Sequence, residues 1–473
     1  MKARKNTKLI GLILISVFFL TAGLGCKGGS KEAKQAGNED VVIEIWSVFD
    51  TKKDLATLFD YYQKRFPNVS FEVRTFNYQE YEKELLNALA EDRGPDIFSL
   101  PNTDIKKYQY KIEPMPASVT LPIKVTQGSI KKEVITELQQ LPLQSPKSIK
   151  QNYIDTVYDD VVLQREVTID DKLVKLDLVH GIPLSVDALA LYYNVDLLDG
   201  AGIATPALNW DEFSEHVKLL TKVDSEGNIV QAGAGIGTGE NVTRAADIIA
   251  LLMMQNGTQM IDELGRQAMF DKFPKTLSGQ REEEPGIQAL KFYTDFANAN
   301  NAVYTWNQNL PESLHAFTSG QIAYFFGYAY HREIIQGRAP KLNYNISVAP
   351  QITGQPELNF ANYNVYTVSA KSEHKDWAWH FLNETTKTEM VQTYLTEKKL
   401  PSGFRSFVQG QKNNPDMAAF SQMVLTAKSW YHGNDAQTSE LILEEMIDAV
   451  VGFRASAEEA IEQAAQMVTQ TLR

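Results

Sequence analysis

The sequence offers little for catalysis. Its seven histidines include no H-E-x-x-H pair of the kind that holds a catalytic zinc ion. The nucleophile turn G-x-S-x-G and the phosphate-binding loop G-x-x-x-x-G-K-[ST] are also missing from the sequence. With 59 Asp and Glu residues, a chance pair of carboxylates is no argument for glycosidase chemistry. We therefore predict that the protein is not an enzyme and that it binds neither a metal ion nor a cofactor.

Polar and aromatic side chains that follow predicted strands are the stronger candidates. They lie in the segments 46–51, 100–104, 185–187, 327–330 and 362–364. Ligands of α/β proteins bind beyond the carboxyl ends of strands, so these segments are expected to meet. Sugars present apolar C–H faces and hydroxyl groups, which aromatic rings, carboxylates and amides match. The segments favour a cleft for a polyhydroxyl ligand, and they leave a peptide, a polyamine or another polar solute open.

Alternating strands and helices are predicted to position the first of these segments. Residues 41–46 (VVIEIW), 69–73 and 96–100 are predicted strands, the first of them rich in β-branched residues. Apolar residues recur at helical spacing over 54–66 and 78–90. Strand, helix, strand, helix, strand with short links predicts a parallel α/β sheet with right-handed crossovers.

Length, charge and cysteine usage narrow the class of protein. A chain of 473 residues exceeds one hydrophobic core and predicts two domains. The formal net charge of −13 argues against nucleic acid as the main partner. Residues 1–25 combine a basic start with an apolar run, as secretory signals do. An uncleaved membrane anchor is the alternative, and residues 26–40 are predicted to form a flexible tether.

The stretch from His180 to Phe213 carries an ordered set of motifs. They are Pro183, LYYNVDL at 191–197, AGI at 201–203, Pro206 and WDEF at 210–213. The set resembles the signature of the extracellular sugar-binding proteins of ABC importers, the maltose-binding-protein-like class. FPNV at 66–69, GPDI at 94–97 and DWAWHFL at 376–382 match further motifs of that class. Cys26, which follows Gly25, resembles the lipobox cysteine of bacterial lipoproteins, which implies acylation of its thiol.

The resemblance implies a two-lobed α/β fold of the class II periplasmic-binding-protein type. Each lobe would hold a mainly parallel sheet flanked by helices, and the ligand cleft would lie between the lobes. The expected first lobe comprises residues 41–184 and 360–412, with an insertion near 117–150, and the second comprises 187–350 and 416–473. The chain would cross between lobes near 184–187, 349–362 and 401–415.

The resemblance also implies roles for individual residues. Asp187 falls on a ligand-gripping carboxylate, Asp50 on a polar contact of the first loop and Tyr330 on a stacking aromatic residue. Trp430 and Tyr431 fall where another stacking Trp is common. The other predicted ligand contacts are Trp46, Thr51, Asn102, Asp104, Ser185, Asn362 and Tyr363. Core packing is the alternative for each aromatic residue of the set.

The function implied is that of an extracytoplasmic substrate-binding protein. It would capture a sugar or oligosaccharide, close about its hinge and deliver the ligand to an ABC permease. The expected protein is monomeric, lipid-anchored to the cell membrane and free of nucleic acid. A surface receptor or adhesin of the same fold, and an extracellular carbohydrate-active enzyme, are the alternatives.

Overall fold

The computed structural model describes residues 31–127, 132–169, 171–275, 282–387 and 389–473. The predicted signal segment and Cys26 lie outside these residues. The strands are β1 Val41–Ser47, β2 Val69–Thr75, β3 Ile97–Pro101, β4 Ser118–Gln127, β5 Glu133–Pro142, β6 Val162–Ile169, β7 Lys172–Val179, β8 Ala190–Asn194, β9 Lys222–Val223, β10 Ile229–Ala234, β11 Ile322–Gly327, β12 Tyr344–Ser347, β13 Asn359–Phe360, β14 Asn364–Val368 and β15 Ala427–Lys428.

The helices of the described residues run between the strands and close the chain. They are α1 Lys31–Ala36, α2 Ala56–Arg65, α3 Tyr78–Ala90, α4 Ile105–Tyr108, α5 Pro146–Asn152, α6 Asp155–Val161, α7 Val195–Gly200, α8 Trp210–Leu220, α9 Ala245–Gln255, α10 Pro285–Asp295, α11 Ser313–Thr318, α12 His331–Arg338, α13 Lys375–Thr385, α14 Glu389–Lys398, α15 Arg405–Gln411, α16 Ala418–Met423, α17 Ala436–Val451 and α18 Ala457–Thr471. In the described part of the chain, no helix combines the length and apolar character that a membrane crossing requires.

The first sheet has the strand order β14-β3-β1-β2. β1 runs parallel to β2 and β3, as the alternating pattern predicts, and β14 runs antiparallel to β3. Aromatic packing holds its helices: the rings of Phe59 on α2 and Phe71 on β2 stack 4.3 Å apart, and Phe381 on α13 lies 4.5 Å from Phe71. These helices cover the sheet and leave the carboxyl ends of β1 and β3 free to carry loops.

The second sheet has the order β12-β8-β11-β10-β9. β10 and β11 pair in parallel, whereas β8 runs antiparallel to both β11 and β12, and β9 antiparallel to β10. In this sheet one pairing of strands is parallel and three are antiparallel, which corrects the expectation of mainly parallel pairing. β8 enters the second sheet directly from the first lobe. No crossover helix of the second sheet precedes it, so nothing in the connection requires it to run parallel to its neighbours.

Two extended segments connect the sheets side by side. Ile182 forms an antiparallel bridge with Tyr366, and Ala188 forms one with Ala361. Between these bridges the Asn362 amide donates to the Asp187 carbonyl at 3.1 Å. We call residues 182–189 and 360–366 the crossing segments. Their backbone pairing gives the connection between the lobes a defined geometry.

Two antiparallel strand pairs, β4 with β5 and β6 with β7, lie between the first and the second sheet in sequence. The expected insertion near 117–150 is thus an ordered hairpin followed by α5. Val119 and Leu121 are buried, and β4 packs against α13. The prediction of a flexible tether at 26–40 is corrected for residues 31–36, because they form α1, which packs on this hairpin with Ala33 buried.

Candidate functional site

A cleft of about 610 Å³ lies between the two sheets. The first sheet contributes Ser47 at the end of β1, residues 48–50 after it and part of the segment after β3. The second contributes residues after β11 and at the ends of α9 and α17. Loops at the carboxyl ends of strands therefore form much of the cleft, as α/β topology predicts.

Asp50 is buried at the base of the cleft, directly beyond β1. Its carboxylate accepts hydrogen bonds from the hydroxyls of Tyr366 and Tyr394, the second at 2.8 Å. Burial raises the pKa of Asp50, while the two tyrosine hydroxyls oppose that rise by donating to the charged form. The carboxylate is thus fixed between a strand and a helix of the first lobe.

Asp187 lies on the first crossing segment and is also buried. Its Oδ1 accepts the Ala188 amide at 2.9 Å, and its Oδ2 accepts the Ala329 amide at 2.7 Å. Burial raises the pKa of Asp187 to about 7, against these two amides and the charge of Arg332. The side chain therefore ties the crossing segment to the end of β11 and turns toward the cleft.

Aromatic rings from both lobes meet at the cleft. The Tyr330 ring follows β11, and the Phe49 ring follows β1, with centroids 5.7 Å apart. Tyr330 also stacks on His331 at 4.1 Å, which fixes its orientation. It remains 37% exposed, so part of its face is open to a ligand.

Arg244 is a lining residue that sequence reasoning missed. It precedes α9 in the left-handed conformation with φ 62°. Its guanidinium lies 2.7 Å from the Asp247 carboxylate and 2.9 Å from that of Glu440. Glu440 is almost two hundred residues away in sequence, so no local pattern could reveal the pair. The missed charged and aromatic lining residues also include Tyr78, Glu82, Lys107, Glu333, Tyr394 and Lys398.

Asp104 lines the cleft from a single 3₁₀ turn, Asn102–Asp104, that follows β3. Burial and the nearby carboxylates of Glu82, Glu440 and Asp435 raise the pKa of Asp104 to about 7, although Lys107 opposes the rise. Lys107 forms an ion pair with Glu82. Asp104 is consequently a carboxylate in a negative environment.

Seven of the predicted ligand contacts line the cleft together. They are Asp50, Asp104, Ser185, Asp187, Tyr330, Asn362 and Tyr363. Their contact with a ligand stays a prediction.

The other five predicted contacts are not among the residues that line this cleft, and their contact with a ligand stays a prediction. The Trp46 ring packs on Phe76 and its Nε1 donates to Glu44, whereas Thr51 is exposed and donates to Asp54. Asn102 is buried and donates to Asp160 at 3.0 Å. Trp430 packs edge-on against Phe270, and the Tyr431 hydroxyl donates to the Thr471 carbonyl. Each of these five side chains contacts another residue of the same chain. For the three aromatic residues, this agrees with the alternative of core packing.

Within the described ranges, no three His, Cys, Asp or Glu side chains lie close enough together to hold a metal ion. The groups available in the cleft are carboxylates, hydroxyls, amides and aromatic rings. This arrangement can bind a polar ligand through hydrogen bonds and ring stacking.

A two-lobed α/β architecture with a polar, partly aromatic cleft between the lobes defines a solute-binding protein. The chain belongs to the family described as bacterial extracellular solute-binding protein, which it matches over residues 50–392. The family and the resemblance predicted from the motifs agree.

Individual relatives are distant in sequence. A binding protein of Brucella abortus (strain 2308) is 23% identical over 259 residues, which cover 53% of this chain and 57% of the relative. The chain thus spans little more than half the length of that curated relative.

Solved structures share the fold over nearly the whole chain. An ABC transporter solute-binding protein of Thermotoga lettingae, bound with α-D-tagatose, superposes with a TM-score of 0.64 at 17% identity and covers 92% of this chain and 100% of its own. The sugar-binding protein MalE of Xanthomonas citri gives a TM-score of 0.65 at 16% identity, with 91% and 97% coverage. These similarities confirm the predicted two-lobed fold.

Proposed function

We propose that this protein captures a sugar or oligosaccharide in the cleft and delivers it to the permease of an ABC importer. One observation carries the proposal: the partly exposed ring of Tyr330 and the carboxylates of Asp50 and Asp187 line one cleft between two lobes. An aromatic face suits the C–H side of a sugar ring, and carboxylates accept from its hydroxyls. Binding is reversible and involves no turnover.

Hinge closure is the mechanism that we propose for capture. Ligand held by groups of both lobes binds the closed form more tightly than the open one and shifts the population toward it. The closed form then docks on the permease. Support for sugar as the ligand comes from the tagatose-bound protein of Thermotoga lettingae and from a cyclo/maltodextrin-binding protein solved with maltotetraose, which share this fold.

The proposed protein works outside the cytoplasm as a monomer, consistent with its extracellular solute-binding family. Acylation of Cys26 would anchor it to the cell membrane. Metabolic labelling with a fatty-acid analogue tests the anchor: the label is expected on the native chain and absent from Cys26→Ala. Equal labelling of both chains would contradict it.

Thermal unfolding of the purified full chain against a sugar panel tests the ligand class. Tagatose, maltotetraose, shorter maltodextrins and a β-1,4-linked glucosamine disaccharide form the panel, and the same samples are analysed for hydrolysis products. A ligand at a hundredfold its Kd stabilises the folded chain by about 2.7 kcal/mol, which raises Tm visibly. A stabilising sugar that remains intact supports the proposal. Absence of any shift, or conversion of the sugar, would contradict it.

A further inference from the structure

The charged side chains that line the cleft are unequal in sign. Its carboxylates are Asp50, Glu82, Asp104, Asp187, Glu333 and Glu440, and its cationic groups are Lys107, Arg244 and Lys398. Each of the three cations already faces a protein carboxylate: Lys107 pairs with Glu82, Lys398 with Asp54 at 3.3 Å, and Arg244 with Asp247 and Glu440. Negative charge therefore remains in the cleft after its internal ion pairs are formed.

Among the described residues, Asp104 and the exposed Glu333 are the two cleft carboxylates that form no hydrogen bond or ion pair, and of these Asp104 is the less exposed. Asp50 accepts from two tyrosine hydroxyls, and Asp187 accepts from two backbone amides. Among the described residues, by contrast, no donor lies within hydrogen-bonding distance of the Asp104 carboxylate. Lys107 on the following turn is held by Glu82 instead. Asp104 is partly buried, so its carboxylate has reduced access to water, and a ligand that brings a donor gains free energy there.

We propose that the ligand carries a protonated amine that binds at Asp104, so that the captured solute is an amino sugar. The sugar part of this inference rests on the proposed function, whereas the amine part rests on the cleft charges alone. An ammonium group has three donors and no acceptor, so it satisfies Asp104 and balances the neighbouring Glu82 and Glu440. A neutral hydroxyl would supply a donor and leave the charge excess unchanged. Tyr78 lines the same part of the cleft and offers its ring to the cation.

Binding of a cation at Asp104 is linked to its protonation. The charged groups that face this carboxyl are Lys107, Glu82, Glu440 and Asp435. Burial and the three carboxylates raise its pKa to about 7, and Lys107 opposes that rise. An ammonium ligand favours the ionised carboxylate and therefore releases a proton near neutrality. Affinity for a permanently charged amine should rise between pH 6 and pH 8, while affinity for a neutral sugar should not follow this carboxyl.

Isothermal titration of the full chain with three probes tests the inference. A β-1,4-linked glucosamine disaccharide and cellobiose share one skeleton and differ in amine against hydroxyl, and spermidine supplies amines without a sugar. We expect the amino disaccharide to bind about 10- to 100-fold more tightly than cellobiose, the range of a charge-assisted hydrogen bond. Asp104→Asn should abolish this preference. Glu82→Gln, which frees Lys107, should reduce it independently.

The control variant is Asp60→Asn, the same change at an exposed carboxylate of α2, and it should retain the full preference. Cellobiose binding as tightly as the amino disaccharide would overturn the amine inference and leave the proposed function standing. Spermidine binding alone, in an Asp104-dependent way, would keep the ammonium site and overturn the sugar proposal. An amine preference that survives in both Asp104→Asn and Glu82→Gln, or no binding of any amine probe, would overturn the inference.

Discussion

The rings of Phe49 and Tyr330 touch across the cleft, with centroids 5.7 Å apart and planes inclined by 36°. Phe49 belongs to the loop after β1 of the first sheet, and Tyr330 to the segment after β11 of the second. Both remain partly exposed, at 44% and 37%. The pair is therefore a contact between lobes that also borders the ligand space, which couples retention of ligand to the approach of the two lobes.

Removal of this contact should speed ligand release. Phe49→Ala deletes one ring of the pair, and such pairs contribute about 0.5–1.5 kcal/mol beyond buried area, so dissociation should become about 2- to 10-fold faster. Stopped-flow displacement of a bound sugar measures the rate. Tyr61→Ala, at an exposed aromatic residue of α2, is the matched control and should leave the rate unchanged. Equal rates in Phe49→Ala and the native chain would refute the coupling.

Truncation of Asp50 should destabilise the first lobe. Asp50→Ala leaves the buried hydroxyls of Tyr366 and Tyr394 without their acceptor, at a cost of about 1–3 kcal/mol for each group. Urea denaturation should show a free energy of unfolding lower by about 2–4 kcal/mol. Asp60→Ala on the exposed surface of α2 should stay within about 0.5 kcal/mol of the native chain. The account fails if both variants unfold at the same urea concentration.

Asp187 should make stability fall as pH rises from about 4 to about 7. Its pKa is about 7 in the folded chain and about 3.9 in an unfolded one, so the folded state holds the extra proton in this window. The stability that this proton confers is lost as pH rises through 7, and it amounts to at most about 4 kcal/mol.

Asp187→Asn isolates that contribution, because the amide side chain does not titrate. The free energy of unfolding of the variant should depend less on pH between 4 and 7 than that of the native chain. Urea denaturation of both proteins at five pH values measures the difference. Parallel pH profiles would show that Asp187 keeps an ordinary pKa in the folded protein.

The β4–β5 hairpin should behave as part of the first lobe. Leu121 is 2% exposed on β4, which packs on α13, so Leu121→Ala should lower the free energy of unfolding by about 2–5 kcal/mol. Val134→Ala on the same hairpin removes a side chain that is 64% exposed and should have little effect. An equally small effect of both changes would mean that the hairpin folds apart from the lobe.

The sequence predicts elements well where periodicity and capping agree. The helix expected at 78–90 is α3, with the same bounds, because its apolar spacing coincides with an Asn77 cap and a following Gly94 and Pro95. Asn209 caps α8, because its side chain accepts the Glu212 amide at 2.8 Å. Glu212, however, accepts the Leu208 amide in place of the Asn209 amide that a capping box requires.

The site is only partly predictable for a physical reason. Asp50 and Tyr330 lie in the segments that follow β1 and β11, so topology points to them, and Asp187 lies on the crossing segment that precedes β8. Arg244 and Glu440 meet through packing of α9 on α17, which no local pattern encodes. Trp46 lies near the end of β1 and Asn102 in the turn after β3, yet their side chains form hydrogen bonds with Glu44 and Asp160 of the first lobe.

The crossing segments lie where the two lobes join. In the hinge closure that we propose, their paired backbones would be the axis of rotation, and each atom would move in proportion to its distance from that axis. Asp187, whose carbonyl accepts the Asn362 amide within the crossing segments, would stay nearly stationary. Phe49 and Tyr330 belong to opposite lobes away from this axis and would move through a wider arc. A solute would then contact the stationary carboxylate first and be enclosed afterwards by the two rings, so recognition and enclosure would be separate events in time.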